Sequence, residues 1–148
     1  MSDLVSSYVN QDLHLPRGFD DEFSDLLVSQ KNESDKPFPR KVDLWWATVT
    51  IGAALRRHRA VTSNRVKFNT GAILGQESWR IAHMELLALG REGESALANP
   101  HRVVEIADEY SMAGAEWITE NLRGSSRPAI KLLSALEQIA PETSQPSS

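Results

Sequence analysis

The first third of the chain combines an aperiodic start, one short amphipathic segment and a polar connection. Residues 1–18 hold scattered apolar side chains without a sustained period, which indicates an irregular arm. From Phe19 to Leu27 the apolar residues fall at i, i+4, i+7 and i+8, and acidic residues occupy the early turns. This spacing predicts a short helix, because a helix N-terminus favours acids. Residues 31–40 are polar and hold two prolines, so a linker is expected there.

Residues 42–59 are the most apolar part of the chain. Their apolar side chains cover nearly the whole circumference of a helical wheel, which is typical of a helix in the middle of a domain. The β-branched run from Thr48 to Ile51 would also suit a strand, but the length of the segment and its continuation through Ala53 favour a helix. Residues 60–74 lose this period, end in a turn signal and are not assigned a helix.

The second half of the chain predicts two helices before its final segment. Residues 76–89 return to a helical period. Asn99 and Pro100 then have the residue types of a helix cap and a first helical position. The helix that follows carries a long apolar stripe, and Gly124 closes it just past the last periodic residue.

A last helix is predicted from Pro128, and Pro141 is expected to stop it. Its expected buried residues are Ile130, Leu133 and Leu136, with Ile139 as a further candidate. Strict alternation and internal repeats are not evident, so the predicted fold class is all-α, a compact bundle of about five helices. We therefore expect an irregular arm at 1–18, a single helical domain at 19–140 with its linker at 31–40, and a disordered tail at 141–148.

Composition narrows the classes of protein. The chain has no cysteine, which removes disulfides, cysteine zinc sites and thiol catalysis and favours a cytoplasmic protein. Its longest apolar stretch, residues 44–55, is too short to cross a bilayer. Residues 1–10 carry no basic region ahead of an apolar run, so neither a signal peptide nor a membrane partner is expected.

The net charge of −4 conceals an uneven distribution of charge. Residues 40–67 hold seven basic residues against one acid, whereas the segments before and after them are acidic. These bases complement the C-terminal end of the central helix, or they bind an external polyanion such as DNA or RNA phosphates, because guanidiniums match phosphate oxygens. An acidic patch on a protein partner is the third alternative. The candidate nucleic-acid-binding residues are Arg56, Arg57, Arg59, Arg65 and Lys67.

Four tryptophans are candidates for packing or for partner contacts. Adjacent tryptophans in an apolar helix usually give one buried ring and one half-buried or interface ring, so Trp45 and Trp46 are the candidate partner-binding residues. Base stacking is the less favoured alternative for them. Trp79 and Trp117 lie on apolar stripes and are expected to pack in the core.

Motifs that carry catalysis are sparse. His101, Glu105 and Glu109 recur every four residues and share a helical face, a spacing that suits metal ligands but is far more common on a solvated acidic face. The sequence pattern indicates no partner residue for His14. Nucleophile-elbow, phosphate-loop and zinc-protease motifs are lacking. The sequence therefore predicts no enzyme, no catalytic residue, no metal and no cofactor.

Three stretches of the chain together resemble a known protein family. They are residues 44–59 with their Trp-Trp, Gly-Ala-Ala and basic segments, residues 79–90, and residues 104–114 with Glu109, Tyr110 and Gly114. The sequence is similar here to small accessory proteins encoded with bacterial DNA phosphorothioation (Dnd-type) modification and restriction systems. This resemblance implies a helical accessory subunit that works with other protein subunits of a phage-defence complex and has no catalytic residues to carry over.

The sequence thus predicts a non-catalytic accessory or adaptor protein that contacts DNA, or a DNA-bound partner, through the basic residues. The alternative is a protein interaction module or regulator without nucleic-acid contact. A homo-oligomer is compatible with both alternatives.

Overall fold

The structure is a computed structural model that describes residues 5–27 and 36–144. Helices dominate it, and two strands pair in a small sheet. Short 3-10 segments precede or follow several of the helices. In chain order the elements are β1 (Asp12–Pro16), α1 (Phe19–Glu22), α2 (Lys41–Ala54), β2 (Arg65–Thr70), α3 (Trp79–Glu92), α4 (Pro100–Leu122) and α5 (Pro128–Ser144).

The core is built around α2 and α4, which cross in backbone contact. Gly52 lies against the backbone of Tyr110, and Gly114 lies against the backbone of Thr48. Beside this crossing the Thr48 and Ser111 hydroxyls lie 2.7 Å apart in a buried hydrogen bond. The prediction of an apolar helix in the middle of the domain is confirmed, because most of α2 is buried. Its predicted end is wrong, since α2 stops at Ala54 rather than Arg59.

A two-stranded antiparallel sheet corrects the all-α prediction. Strand β1, in the predicted irregular arm, pairs with β2 from Asp12 opposite Thr70 to Pro16 opposite Arg65, with an irregularity between Leu13 and His14. The sequence indicates these strands only weakly, because β1 alternates over only a few residues and β2 contributes no fully buried side chain. The sheet forms because the buried leucines of β1 pack against α4.

The helix α5 begins at Pro128 as predicted, and Leu136 packs against the core as expected, but the rest of the buried face differs. Ile130 and Leu133 are 60% and 61% exposed, and Leu132 and Ala135 are buried instead. Adjacent leucines at 132 and 133 allow two registers, and packing against the core selects the one that the pattern did not favour. The helix also passes Pro141 and ends at Ser144, so the proline stop is wrong. The loss of one backbone hydrogen bond at the end of a helix is evidently tolerated. Residues 145–148 lie outside the described part of the chain.

None of the described helices combines the length and the apolar character that a membrane crossing requires.

Candidate functional site

The predicted basic cluster forms an exposed turn directly after α2, which we call the basic loop (residues 56–59). The Arg56 N–H donates to the Ala53 carbonyl at 3.0 Å and the Arg57 N–H donates to the Gly52 carbonyl at 2.9 Å. This is the hydrogen-bond pattern of a Schellman cap, whose left-handed position is usually glycine. Here Arg56 occupies it, with φ at 56°. The loop is anchored at its other end by the Arg59 N–H, which donates to the Glu109 carbonyl at 3.0 Å.

Two arginines of the basic loop project into solvent without a counter-charge. Arg56 and Arg57 are both exposed. Neither forms an ion pair or a side-chain hydrogen bond with another residue of the described ranges 5–27 and 36–144. Their guanidiniums are therefore available to an external anion.

The other three predicted nucleic-acid contacts are matched by carboxylates of the protein itself. Arg59 lies 3.2 Å from Glu116 in an exposed pair, which is readily exchanged because such pairs contribute little. Lys67 lies 3.1 Å from Asp12 across the sheet. Arg65, also on β2, lies 3.7 Å from the buried carboxylate of Asp108. Of the five predicted residues, only Arg56 and Arg57 of the basic loop are thus left without a carboxylate partner in the described residues.

Asp108 is the centre of a polar network that the sequence did not reveal. It is 1% exposed, and its carboxylate accepts a hydrogen bond from the Trp45 indole N–H at 3.2 Å. His14 Nδ1 lies 3.3 Å from the same carboxylate. Burial raises the pKa of Asp108, while the hydrogen bonds with His14 and Trp45 oppose that rise. These partners are far apart in the sequence, so no local pattern predicted their meeting.

This network opens onto a small polar pocket of about 260 Å³ that is also lined by His101 and Glu105. The metal-ligand spacing noted in the sequence does not produce a ligand set here. Glu105 and Glu109 both accept hydrogen bonds from Arg102, at 2.6 and 3.0 Å. Within residues 5–27 and 36–144, no three His, Asp or Glu side chains are grouped as metal ligands. We assign the network a structural role, because it ties the sheet to α2 and α4.

A groove of about 640 Å³ runs along α4 beside the basic loop. Its charges alternate in sign and are largely paired. Arg59 pairs with Glu116, and Arg123 pairs with Glu22 at 2.6 Å. Arg17, which also lines the groove, is exposed and forms no ion pair within residues 5–27 and 36–144, so it is the cation that the groove adds beside the loop.

The tryptophan prediction is corrected by burial. Trp45 and Trp46 both lie in the core, at 0% and 8% exposure, so neither presents a ring to a partner. The exposed ring belongs to Trp79, at 51%, which was expected in the core. Trp79 meets Trp46 edge-on at 5.8 Å between ring centroids. The Arg80 guanidinium lies 5.3 Å from the Trp79 ring, which favours one orientation of that ring.

Trp79 begins an exposed row of residues along α3, which we call the α3 stripe. Leu86 on this row is 62% exposed. The stripe borders a shallow groove of about 280 Å³ that reaches α2 at Thr50 and Ala53. The exposed members of the stripe are Trp79, Ala82, His83, Leu86, Leu89 and Gly90.

Comparisons with known proteins identify no relative whose function could be compared with that of this chain. No protein-family model matches the chain, and neither a curated protein nor a solved structure does so.

Proposed function

We propose that this protein is an accessory protein that contacts the phosphate backbone of DNA, or of DNA held by a partner, through the basic loop. The observation that carries the proposal is the pair of exposed, unmatched guanidiniums at Arg56 and Arg57. Arg56 also holds a left-handed conformation in which glycine would fit without strain. Strained side chains at exposed positions are frequently found at functional sites.

The strength of such a contact follows from its charge. Two guanidiniums offer up to two phosphate contacts, and each contact contributes a salt-dependence slope of about −0.9 to the binding constant. The net charge of −4 repels free DNA. We therefore propose that the contact is weak in isolation and supplements binding by other subunits of an assembly.

A titration of labelled duplex DNA, followed by fluorescence anisotropy at two salt concentrations, tests the proposal. The double variant R56A/R57A should bind at least tenfold more weakly at low salt, and its salt dependence should flatten by a slope of about 1.8. A matched control removes two other exposed bases, Arg127 and Lys131, from α5 and the turn before it. The control R127A/K131A has the same net charge as the loop variant and should bind as the unaltered protein does.

Equal losses in both double variants would mean that only net charge matters, and the assignment to the basic loop would be wrong. Unchanged binding in R56A/R57A would discard DNA contact by this loop. Phosphorothioation systems remain a prediction of the resemblance, since the chemistry of the loop fits any phosphate backbone.

A second candidate function is a protein interaction module without nucleic-acid contact. The exposed α3 stripe favours it, because exposed tryptophan and leucine on one helix face are typical of protein interfaces. In that case the purified protein should not change the anisotropy of the labelled DNA at either salt concentration.

A further inference from the structure

We infer that the groove along α4 binds a nucleotide of a single DNA strand whose neighbouring phosphates lie on the basic loop. The groove begins at this loop, because Arg59 and Ala60 are among its lining residues. The inference rests on the proposed DNA contact and adds to it the form of the DNA and a second point of contact. A duplex keeps its bases paired and stacked, so it would meet the loop through its backbone only, whereas a single strand can turn a base into a groove.

The charged side chains of the groove leave one cation and one anion without a partner. Two ion pairs neutralise the others, and these are Arg59 with Glu116 and Arg123 with Glu22. Arg17 and Glu120 are both exposed, and neither forms an ion pair or a side-chain hydrogen bond within residues 5–27 and 36–144. Together with Arg56 and Arg57, this part of the surface offers more unmatched cations than unmatched carboxylates.

Arg17 is held beside the loop by its backbone. Its N–H donates to the Asn64 carbonyl at 3.2 Å, which ties the end of β1 to the segment that leads from the basic loop to β2. The Arg17 side chain takes no part in this hydrogen bond and remains exposed. We assign to Arg17 the phosphate that follows those on the loop, because a guanidinium matches phosphate oxygens.

The unmatched carboxylate of Glu120 calls for a ligand that brings donors as well as negative charge. The side chains of an acidic peptide would bring further carboxylates and be repelled. A nucleotide carries an anionic phosphate and, on cytosine, an amino group from which a glutamate can accept a hydrogen bond. Thymine presents an acceptor and a methyl group instead. We therefore expect the groove to prefer cytosine to thymine.

The size and the floor of the groove suit a base with its sugar. The groove volume of about 640 Å³ lies within the range of small-ligand pockets, about 300 to 1,000 Å³. Along α4 the lining runs from Met112 to Glu120, a length of about 12 Å. The floor between the charged side chains is apolar, because Met112, Ala115 and Phe19 line the groove and are buried. The face of a base can lie on such a floor while its polar edge meets Glu120.

Fluorescence anisotropy of the full chain with three labelled DNAs of equal length tests the inference at low salt and neutral pH. The DNAs are oligo(dC), oligo(dT) and a duplex of mixed sequence. The unaltered protein should bind oligo(dC) more tightly than the duplex by about fivefold or more, and more tightly than oligo(dT) by about threefold or more.

The variant R17A separates the groove from the loop. It should weaken the binding of oligo(dC) by about threefold to tenfold and reduce its salt slope by about 0.7, while the binding of the duplex stays the same. The Arg17 side chain has no ion pair or hydrogen bond to lose, so the fold is retained, which circular dichroism verifies. The matched control R127A removes an exposed arginine outside the groove and should alter neither affinity.

A second variant tests the contact with the base. In E120Q the amide keeps an acceptor but adds a donor, so the ratio of the affinities for oligo(dC) and oligo(dT) should approach one. The loss of a negative charge by itself would strengthen both oligonucleotides equally and leave that ratio unchanged. The control E137Q makes the same change of charge at an exposed position of α5 and should keep the preference for oligo(dC).

The loop variant R56A/R57A distinguishes a failure of this inference from a failure of the proposed function. If R56A/R57A weakens the binding of every DNA and R17A weakens none, the loop contact stands and the groove is not its continuation. If R56A/R57A weakens none, the proposed function is wrong and the strand has no path from the loop. Competition by dCMP as strong as that by oligo(dC) would assign the groove to a free nucleotide, and competition by polyglutamate would assign it to an acidic protein. Either result would overturn the inference.

Discussion

Arg56 holds a backbone conformation that costs the fold free energy. A left-handed conformation is unfavourable for a residue with a side chain, typically by about 1 kcal/mol or more. The turn after α2 needs that conformation, because the Arg56 and Arg57 N–H groups close the helix with two hydrogen bonds. Arginine at this position keeps a guanidinium in solvent where glycine would relieve the strain.

Replacing Arg56 by glycine should therefore stabilise the protein and weaken DNA binding together. We expect R56G to raise the free energy of unfolding by about 0.5 to 1 kcal/mol, since relief of strain exceeds the entropy that glycine adds to the unfolded chain. Urea denaturation followed by tryptophan fluorescence measures this change. The control R57G, at a position where φ is not positive, should bring no gain in stability. A loss of stability in R56G would show that the Arg56 side chain supports the fold.

Asp43 is a second residue whose charge matters, here for stability. Its carboxylate accepts a hydrogen bond from Arg40 at 2.9 Å and another from Arg80 at 3.0 Å. Burial alone would raise the pKa of Asp43, but these two hydrogen bonds outweigh it and the pKa is lowered. Arg80 is itself buried, so the loss of Asp43 would leave a buried guanidinium poorly compensated.

The variant D43N should cost about 2 to 3 kcal/mol of unfolding free energy at pH 7. Because the folded-state pKa of Asp43 is lowered, its contribution is complete above the unfolded-state value, near pH 4, and is lost as the pH falls further. The difference in unfolding free energy between D43N and the unaltered protein should therefore become smaller below about pH 4. Urea denaturation at a series of pH values measures it.

The pKa of Asp108 is shifted in the opposite direction to that of Asp43. Its pKa is raised by burial, so protonation favours the folded state as the pH falls. As the pH falls, the unfolding free energy of the unaltered protein should therefore rise relative to that of D108N, whereas it should fall relative to that of D43N. The same pH trend for both variants would contradict the assignment of their environments.

At the scale of elements, the crossing of α2 and α4 depends on two glycines. A Cβ at Gly52 would overlap the Tyr110 carbonyl, and one at Gly114 would overlap the Thr48 carbonyl. Both obstacles are backbone, which cannot rotate away as a flexible side chain can. The glycines let the helices approach closely enough for Thr48 and Ser111 to hydrogen bond.

The variant G114A should lower the free energy of unfolding by about 3 kcal/mol or more, or prevent folding, because the helices would have to separate. Denaturation midpoints in urea measure the effect. G90A, where the added Cβ meets nothing within 4 Å, is the matched substitution and should not destabilise the protein. Similar losses in the two variants would contradict the close crossing.

Local chemistry made some element boundaries predictable from the sequence. The side chain of Asn99 accepts a hydrogen bond from the Arg102 N–H, as its cap position predicts, and Gly124 has the positive φ of a residue after a helix. Both signals act within a few residues. The faces of α5 and the exposure of Trp79 were not predictable in this way, since a stripe shows which residues are apolar but not whether another element covers them.

Across the whole molecule, the charge of the basic loop differs in sign from the net charge of the chain. The basic loop offers two unmatched arginines against a net charge of −4. Of the five basic residues that the sequence offered, only Arg56 and Arg57 are exposed without a carboxylate partner in the described residues, and their role in binding stays a prediction.

Four features follow from local properties of the chain, namely its periodicity, caps and clustered charge. They are the predominance of helices, the buried position of α2, the cap at Asn99 and the basic character of residues 56–59. The pairing of the basic residues depends on long-range packing, which brings Asp12, Asp108 and Glu116 to their basic partners. The tertiary structure also decided that β1 finds β2, that Trp45 and Trp46 are buried, and that Trp79 is exposed. These outcomes depend on which surfaces meet, and that is a property of the assembled core rather than of any segment.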